Sequence, residues 1–162
     1  MLTKSILFVC LGNICRSPMA EAVFQRIVAE KGLTSKFEVD SAGMLAFHKG
    51  ELADSRMRYF ASKRGYKLTH RSRPFASTDF DNFDMIIGMD DQNIASLEAL
   101  AMSEEESNKI YRMTDFCVQK HATHVPDPYY GGDQGFENVI DLLEDACSGL
   151  FIHLQSQNKQ EI

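Results

Sequence analysis

Ile6-Leu7-Phe8-Val9 is an apolar run that opens into Cys10-Leu11-Gly12-Asn13-Ile14-Cys15-Arg16 and then Ser17-Pro18. A short run without alternation suits a parallel strand covered on both faces. From Ser17 the period changes. Ala20, Val23, Phe24, Ile27 and Val28 fall at i, i+3, i+4, i+7 and i+8, which predicts an amphipathic helix capped by Ser17, primed by Pro18 and stopped at Gly32. A strand, a tight loop and a helix in this order open a parallel crossover unit.

The rest of the chain repeats the alternation. Phe37 to Ser41 reads as a second strand, ended by Ala42-Gly43, and a helix runs from Asp54 or Ser55 to Gly65, burying Met57, Phe60 and Ala61. Phe83 to Met89 is a third strand, Asp90 caps a helix to about Ala101, and Lys109 to Met113 is a shorter fourth strand. Glu104-Glu105-Glu106 reads as a solvated helix start or loop. The last helix carries Phe136, Val139, Ile140, Leu143, Cys147, Leu150 and Leu154 on one stripe, and the polar tail from Gln155 is expected to fray. The expected fold is one α/β domain over 1–156, a parallel sheet with helices on both faces, and a polar tail over 157–162. Ligands of such sheets bind beyond the carboxyl ends of the strands, where Cys10 stands.

Composition narrows the function classes. A net charge of -6 argues against a general nucleic-acid binder. No apolar run reaches the length of a membrane span, and the N-terminus has no cleavage signature. Four cysteines without framework spacing point to a reducing, cytoplasmic setting.

The loop from Leu11 to Ser17 suits a phosphate. Gly12 and Asn13 best tolerate the positive φ angles of a tight curl, which turns successive N–H groups inward above a helix N-terminus. Arg16 supplies a planar fork that matches two phosphate oxygens. The same positive field favours the thiolate of Cys10, a strong nucleophile, and Ser17 can donate a hydrogen bond to it.

C-L-G-N-I-C-R-S-P-M-A-E resembles the signature of the low-molecular-weight protein tyrosine phosphatase family. The similarity continues through Asp40-Ser41-Ala42-Gly43 and Phe83-Asp84-Met85-Ile86-Ile87-Gly88-Met89-Asp90 to Asp127-Pro128-Tyr129-Tyr130. The resemblance implies a four-stranded Rossmann-like sheet, hydrolysis of phosphotyrosine in proteins or of aryl phosphates through a phosphocysteine, and no metal or cofactor. It makes Asp127 the general acid and then the base. Pro126 and Pro128 hold that residue's backbone extended, and a phosphate dianion beside it favours its protonated form. It makes Tyr129, Tyr130 and Phe47 walls of the substrate pocket, and Asn13, Ser17, Ser41 and His70 a network that shapes the phosphate loop. Phosphotyrosine proteins are then the partners, inorganic phosphate is product and inhibitor, and the chain is a monomer or weak homodimer. Cys15 is implied as a redox partner for Cys10, their reversible disulfide guarding against over-oxidation. Two positions depart from the family pattern: Phe47 replaces the usual Trp or Tyr, and Ser55 the usual proline.

Other chemistries fit less well. His121, His124 and Asp127 recur at three-residue spacing, but the two prolines forbid the helical turn that would gather them around a metal. Arsenate reduction needs further thiols, and no cysteine lies between Gly43 and Phe116. In the related protein-arginine phosphatases a threonine stands where this chain has Ile14, so the tyrosine branch fits better. A pure phosphopeptide binder needs neither Cys10 nor Asp127.

Overall fold

Lys4–Cys10 forms the first strand, β1, and it is covered on both faces. Ile6, Phe8 and Cys10 enter one apolar core and Leu7 and Val9 the other, so the unbroken apolar run has a partner for every side chain. The computed structural model describes residues 3–160. β1 pairs in parallel with β2 (Phe37–Gly43) on one side and β3 (Met85–Gly88) on the other, and β4 (Ile110–Arg112) lies outside β3. The order β2-β1-β3-β4 makes the crevice beyond Cys10 the point where the winding direction reverses.

The helices are α1 (Arg16–Glu30), α2 (Ser55–Lys63), α3 (Asp79–Asn82), α4 (Asp91–Leu100), α5 (Glu104–Ser107) and α6 (Gly132–Gln160). The larger core joins one sheet face to α1, α2 and α6 through Phe24, Met57, Phe136 and Leu143. Phe60 and Phe136 stack there at 5.8 Å between ring centroids, and each such ring contributes about 1.5–3 kcal/mol on burial. The smaller core covers the other face with Phe80 and Leu97. No helix among the described residues is long and apolar enough to cross a membrane.

Several boundaries differ from the sequence reading. The N-cap of α1 is Cys15, with no side-chain cap, because the Ser17 hydroxyl is committed elsewhere. Gly32 does end that turn, with φ 69. β2 continues to Gly43, where a Cβ would lie 2.9 Å from the Leu11 carbonyl oxygen; only glycine lets the strand approach the loop this closely. α6 runs on to Gln160, past the expected fraying point at Gln155. Gln, Ser, Asn and Lys are tolerated on a helix surface, and no Gly or Pro interrupts it there. The last two tail residues, 161–162, lie outside the described residues.

Candidate active site

The loop after β1 is held from outside by its carbonyls. The Cys10, Leu11 and Ile14 oxygens accept from the amides of Met44, Leu45 and Asp54, and Gly12 O accepts from the Ser72 hydroxyl at 3.0 Å. A trans peptide carries its N–H opposite its C=O, so the following amides turn the other way. From Leu11 to Arg16 no backbone N–H donates to a protein acceptor among the described residues. Successive unpaired donors at a helix start form a concave anion seat.

Asn13 keeps that curl in place. Its φ of 57 is the left-handed conformation, the one such non-glycine residue among those described, and Gly12 does not share it. All four hydrogen-bonding positions of the Asn13 amide are used. Nδ2 donates to Ser17 Oγ (2.8 Å) and Ser41 Oγ (3.0 Å), while Oδ1 accepts from His70 Nε2 (2.8 Å) and the Arg73 amide (3.0 Å). Ser17 Oγ, already accepting from Asn13, lies 2.9 Å from Cys10 Sγ, either of which can donate, and 3.5 Å from Ala42 O. Ser41 donates onward to Glu21 Oε1 at 2.6 Å. Burial, with the charge of Asp40, pushes the Glu21 carboxyl up to about 7 against the Ser41 hydrogen bond. Burial, together with Arg73, holds His70 below the ordinary imidazole range despite Asp40. His70 Nδ1 lies 3.3 Å from Glu21 Oε1 and 3.4 Å from Asp40 Oδ1. The expected network of Asn13, Ser17, Ser41 and His70 is thus continuous in space, and Glu21 and Arg73 extend it.

Arg16 is 3% exposed and doubly anchored. Its Nη1 donates to Asp90 Oδ2 at 2.7 Å and to Val125 O at 3.0 Å, leaving Nε and Nη2 without a protein acceptor. Burial opposes the guanidinium charge, but Cys10 and Asp90 outweigh it and keep the group firmly protonated. Burial likewise pushes Asp90 up, and the Arg16 hydrogen bond and the Asn93 amide more than offset it, so its carboxyl lies below the usual range. From sequence Asp90 was only a helix cap; its place just past the end of β3, next to the end of β1 that carries Cys10, was the signal for more.

Cys10, Arg16, Phe47, Asp127 and Tyr129 line one cleft of about 510 Å³, and so do Leu11, Gly12, Ile14 and Cys15 of the loop. Asp127 is extended (φ -74, ψ 118), and its Oδ1 accepts from the Tyr129 amide at 3.0 Å. The side chain of Tyr130 lies outside the described residues. Phe47 is 84% exposed and meets His48 edge-on at 4.8 Å. His48, which no sequence motif singles out, also lines the cleft, and Glu51 holds it at 2.6 Å. Asp54 was missed as well. It reaches the cleft while capping α2, and Ser55, in place of proline, is simply the first residue of that helix.

Cys10 and Cys15 are both buried, free thiols. Burial first, then the charges of Asp54 and Cys10, raises the Cys15 thiol far above the usual range. Among the described residues only Glu21, Asp40 and His70 converge closely enough to share a metal ion, and each is already engaged: Glu21 by Ser41, His70 by Asn13 and Asp40 by Arg73 at 3.0 Å. His121, His124 and Asp127 form no such group.

Residues 5–160 match the family model for low molecular weight phosphotyrosine protein phosphatase. A low molecular weight protein-tyrosine-phosphatase of Streptomyces coelicolor is 40% identical over 158 residues, covering 96% of each chain. The crystal structure of a protein tyrosine phosphatase from Entamoeba histolytica, with Hepes in its active site, superposes with a TM-score of 0.93 at 49% identity, covering 96% of this chain and 99% of that one. A Drosophila arginine phosphatase superposes at 0.85 with 32% identity, over 92% of this chain and 96% of its own. With the signature loop, the sheet order and near-complete coverage in agreement, the chain belongs to the low molecular weight phosphotyrosine protein phosphatase family.

Proposed function

We propose that this protein hydrolyses phosphotyrosine monoesters in proteins, and simple aryl phosphates, through a phosphocysteine. One observation carries the reading: a buried cysteine and a fork of unpaired guanidinium N–H groups share a cleft with the unpaired amides of Leu11 to Arg16 and with Asp127. In the first step the Cys10 thiolate attacks phosphorus in line. The P–O bond to the phenol breaks, and the Asp127 carboxyl passes its proton to the leaving oxygen. In the second step the Asp127 carboxylate takes a proton from water, whose oxygen attacks phosphorus as the P–S bond breaks. Inorganic phosphate and the thiolate are released, and Ser17 hydrogen-bonds the departing sulfur in both directions. The loop amides and Arg16 hold the equatorial oxygens throughout, where charge is greatest.

Asp127→Ala is expected to slow a phenyl phosphate by about a hundredfold or more while a nitrophenyl ester, whose leaving group needs little protonation, loses much less. Steady-state kinetics on both esters check this, and equal losses would remove Asp127 from the acid's role. Parallel assays of phosphotyrosine, phosphoserine and phosphoarginine peptides, with acid quenching to trap the phosphocysteine, test the substrate class. Ile14 in the loop favours tyrosine over arginine, and hydrolysis of phosphoarginine alone would reverse that choice. A reductase cascade has little support, since Cys147 is wholly buried and Cys117 lies outside this cleft.

The redox reading follows from the same cleft. Peroxide oxidises Cys10 to a sulfenic acid, and the Cys15 thiol condenses with it, expelling water and leaving a disulfide that an external thiol reduces. Mild peroxide is expected to inactivate the enzyme reversibly and the Cys15→Ser variant irreversibly. Recovery assays with added thiol decide, and irreversible loss in both proteins counts against the disulfide. The four free thiols suit a reducing, cytoplasmic compartment.

A further inference from the structure

The charge of this chain is unevenly distributed. Between residues 46 and 78 stand eight of its 17 Lys and Arg residues but, of its 23 acidic residues, only Glu51 and Asp54. Both of those acids are spent locally, on His48 and Arg56. Among the cations of the segment, Arg64 is bound by Glu137, Asp141 and Glu144, and Arg73 by Asp40 and Asp79. Arg58, Lys67 and Arg71 have no carboxylate partner among the described residues, and all three line a groove of about 770 Å³.

The groove adjoins the cleft. Asp54 lines the cleft and the next residue, Ser55, lines the groove. Arg71 pairs across an antiparallel bridge with Leu52 and donates from Nη1 to Gly50 O at 2.9 Å, just beyond the Phe47-His48 rim. Arg58 Nε donates to Ala53 O at 2.9 Å, which fixes its stem and leaves its outer nitrogens free. Two guanidinium groups are therefore pre-positioned, at little entropic cost to a ligand, with the Lys67 ammonium beside them. Tyr59, 56% exposed, supplies an apolar wall.

We infer that this groove is a docking site for an acidic segment of the substrate protein, receiving Asp or Glu side chains that flank the phosphotyrosine; the inference rests on the phosphatase reading of the cleft. A protein of net charge -6 otherwise repels acidic partners, and a local basic concavity beside the cleft selects for them. Its recessed shape admits side chains from an extended peptide, whereas a bilayer surface meets only its rim. The segment with its phosphate in the cleft is held at two points, so the gain falls on substrate capture and not on the chemical step.

The test compares phosphotyrosine peptides of one length flanked by Glu, Gln or Lys, with para-nitrophenyl phosphate as the substrate that cannot reach the groove. The Glu-flanked peptide is expected to exceed the Gln-flanked one by about tenfold in kcat/KM, through KM, and the advantage shrinks with added salt. The double variant Arg58→Glu/Lys67→Glu reverses the preference and leaves para-nitrophenyl phosphate turnover unchanged; Arg58→Gln/Lys67→Gln only abolishes it. Equal kcat/KM for the three peptides, or a preference that survives both variants, overturns the groove while aryl phosphate turnover keeps the phosphatase reading. If no ester is hydrolysed, the phosphatase reading falls, and fluorescence anisotropy of the Glu-flanked peptide decides the groove separately. Binding lost in the double variant supports it, and absence of binding overturns it. Sedimentation with phosphatidylserine vesicles that disappears in the double variant, combined with flat peptide kinetics, assigns this face to a membrane and overturns the proposal.

Discussion

Arg16→Lys is expected to lower kcat/KM on an aryl phosphate by about a thousandfold or more. The reason lies in how Arg16 divides its five N–H groups. Two of them, both on Nη1, are taken by Asp90 and Val125 O. Those bonds fix the plane of the guanidinium and leave Nε and Nη2 side by side for two phosphate oxygens. A lysine ammonium is one point on a flexible stem. It can sit on Asp90 or reach into the cleft, but it cannot present a second, aligned donor while doing so. Asp90→Asn keeps an acceptor for Nη1 and should cost far less, which separates loss of the fork from loss of its anchor. Steady-state kinetics and inorganic phosphate inhibition of both variants provide the check. A lysine variant within tenfold of the parent would show that charge alone suffices.

Cys10→Ser is expected to abolish turnover, by about five orders of magnitude or more, with phosphate affinity retained. Serine at the end of β1 keeps the backbone of the loop, so the amides of Leu11 to Arg16 and the Arg16 fork still bind the dianion. What disappears is the sulfur nucleophile itself; an alcohol in its place stays protonated and a poor nucleophile. The Ser17 hydroxyl, 2.9 Å from Sγ, then bonds a neutral oxygen and no longer steadies a leaving thiolate. Calorimetric titration with inorganic phosphate and acid-quench trapping measure the two halves of the prediction. Turnover persisting in this variant would assign the chemistry to another group.

The strands and their parallel arrangement were legible in the sequence, because a parallel sheet buried on both faces imposes apolar runs such as Ile6 to Val9 and Met85 to Ile87. Asp90 as a cap was legible too, since capping is local chemistry. Ser17 misled for the same reason. Its type and position satisfied the local rule, but Asn13 and Cys10 offered its hydroxyl buried partners that a cap cannot match. Gly12 misled similarly: the positive φ went to Asn13, whose side chain the surrounding network could hold.

The amino-acid sequence by itself determined which chemical groups exist and which neighbours share a loop. Cys10 and Arg16 are placed by a strand, a curl and a helix within one local stretch, whose propensities agree with one another. Tertiary structure alone decided what those groups face. Arg16 meets Asp90 and Val125, His70 meets Asn13, and Asp127 meets the cleft only because β1 and β3 end side by side and the chain beyond β4 returns across them. Such contacts span 57 to 109 residues and depend on strand order and packing, which no local period or propensity encodes.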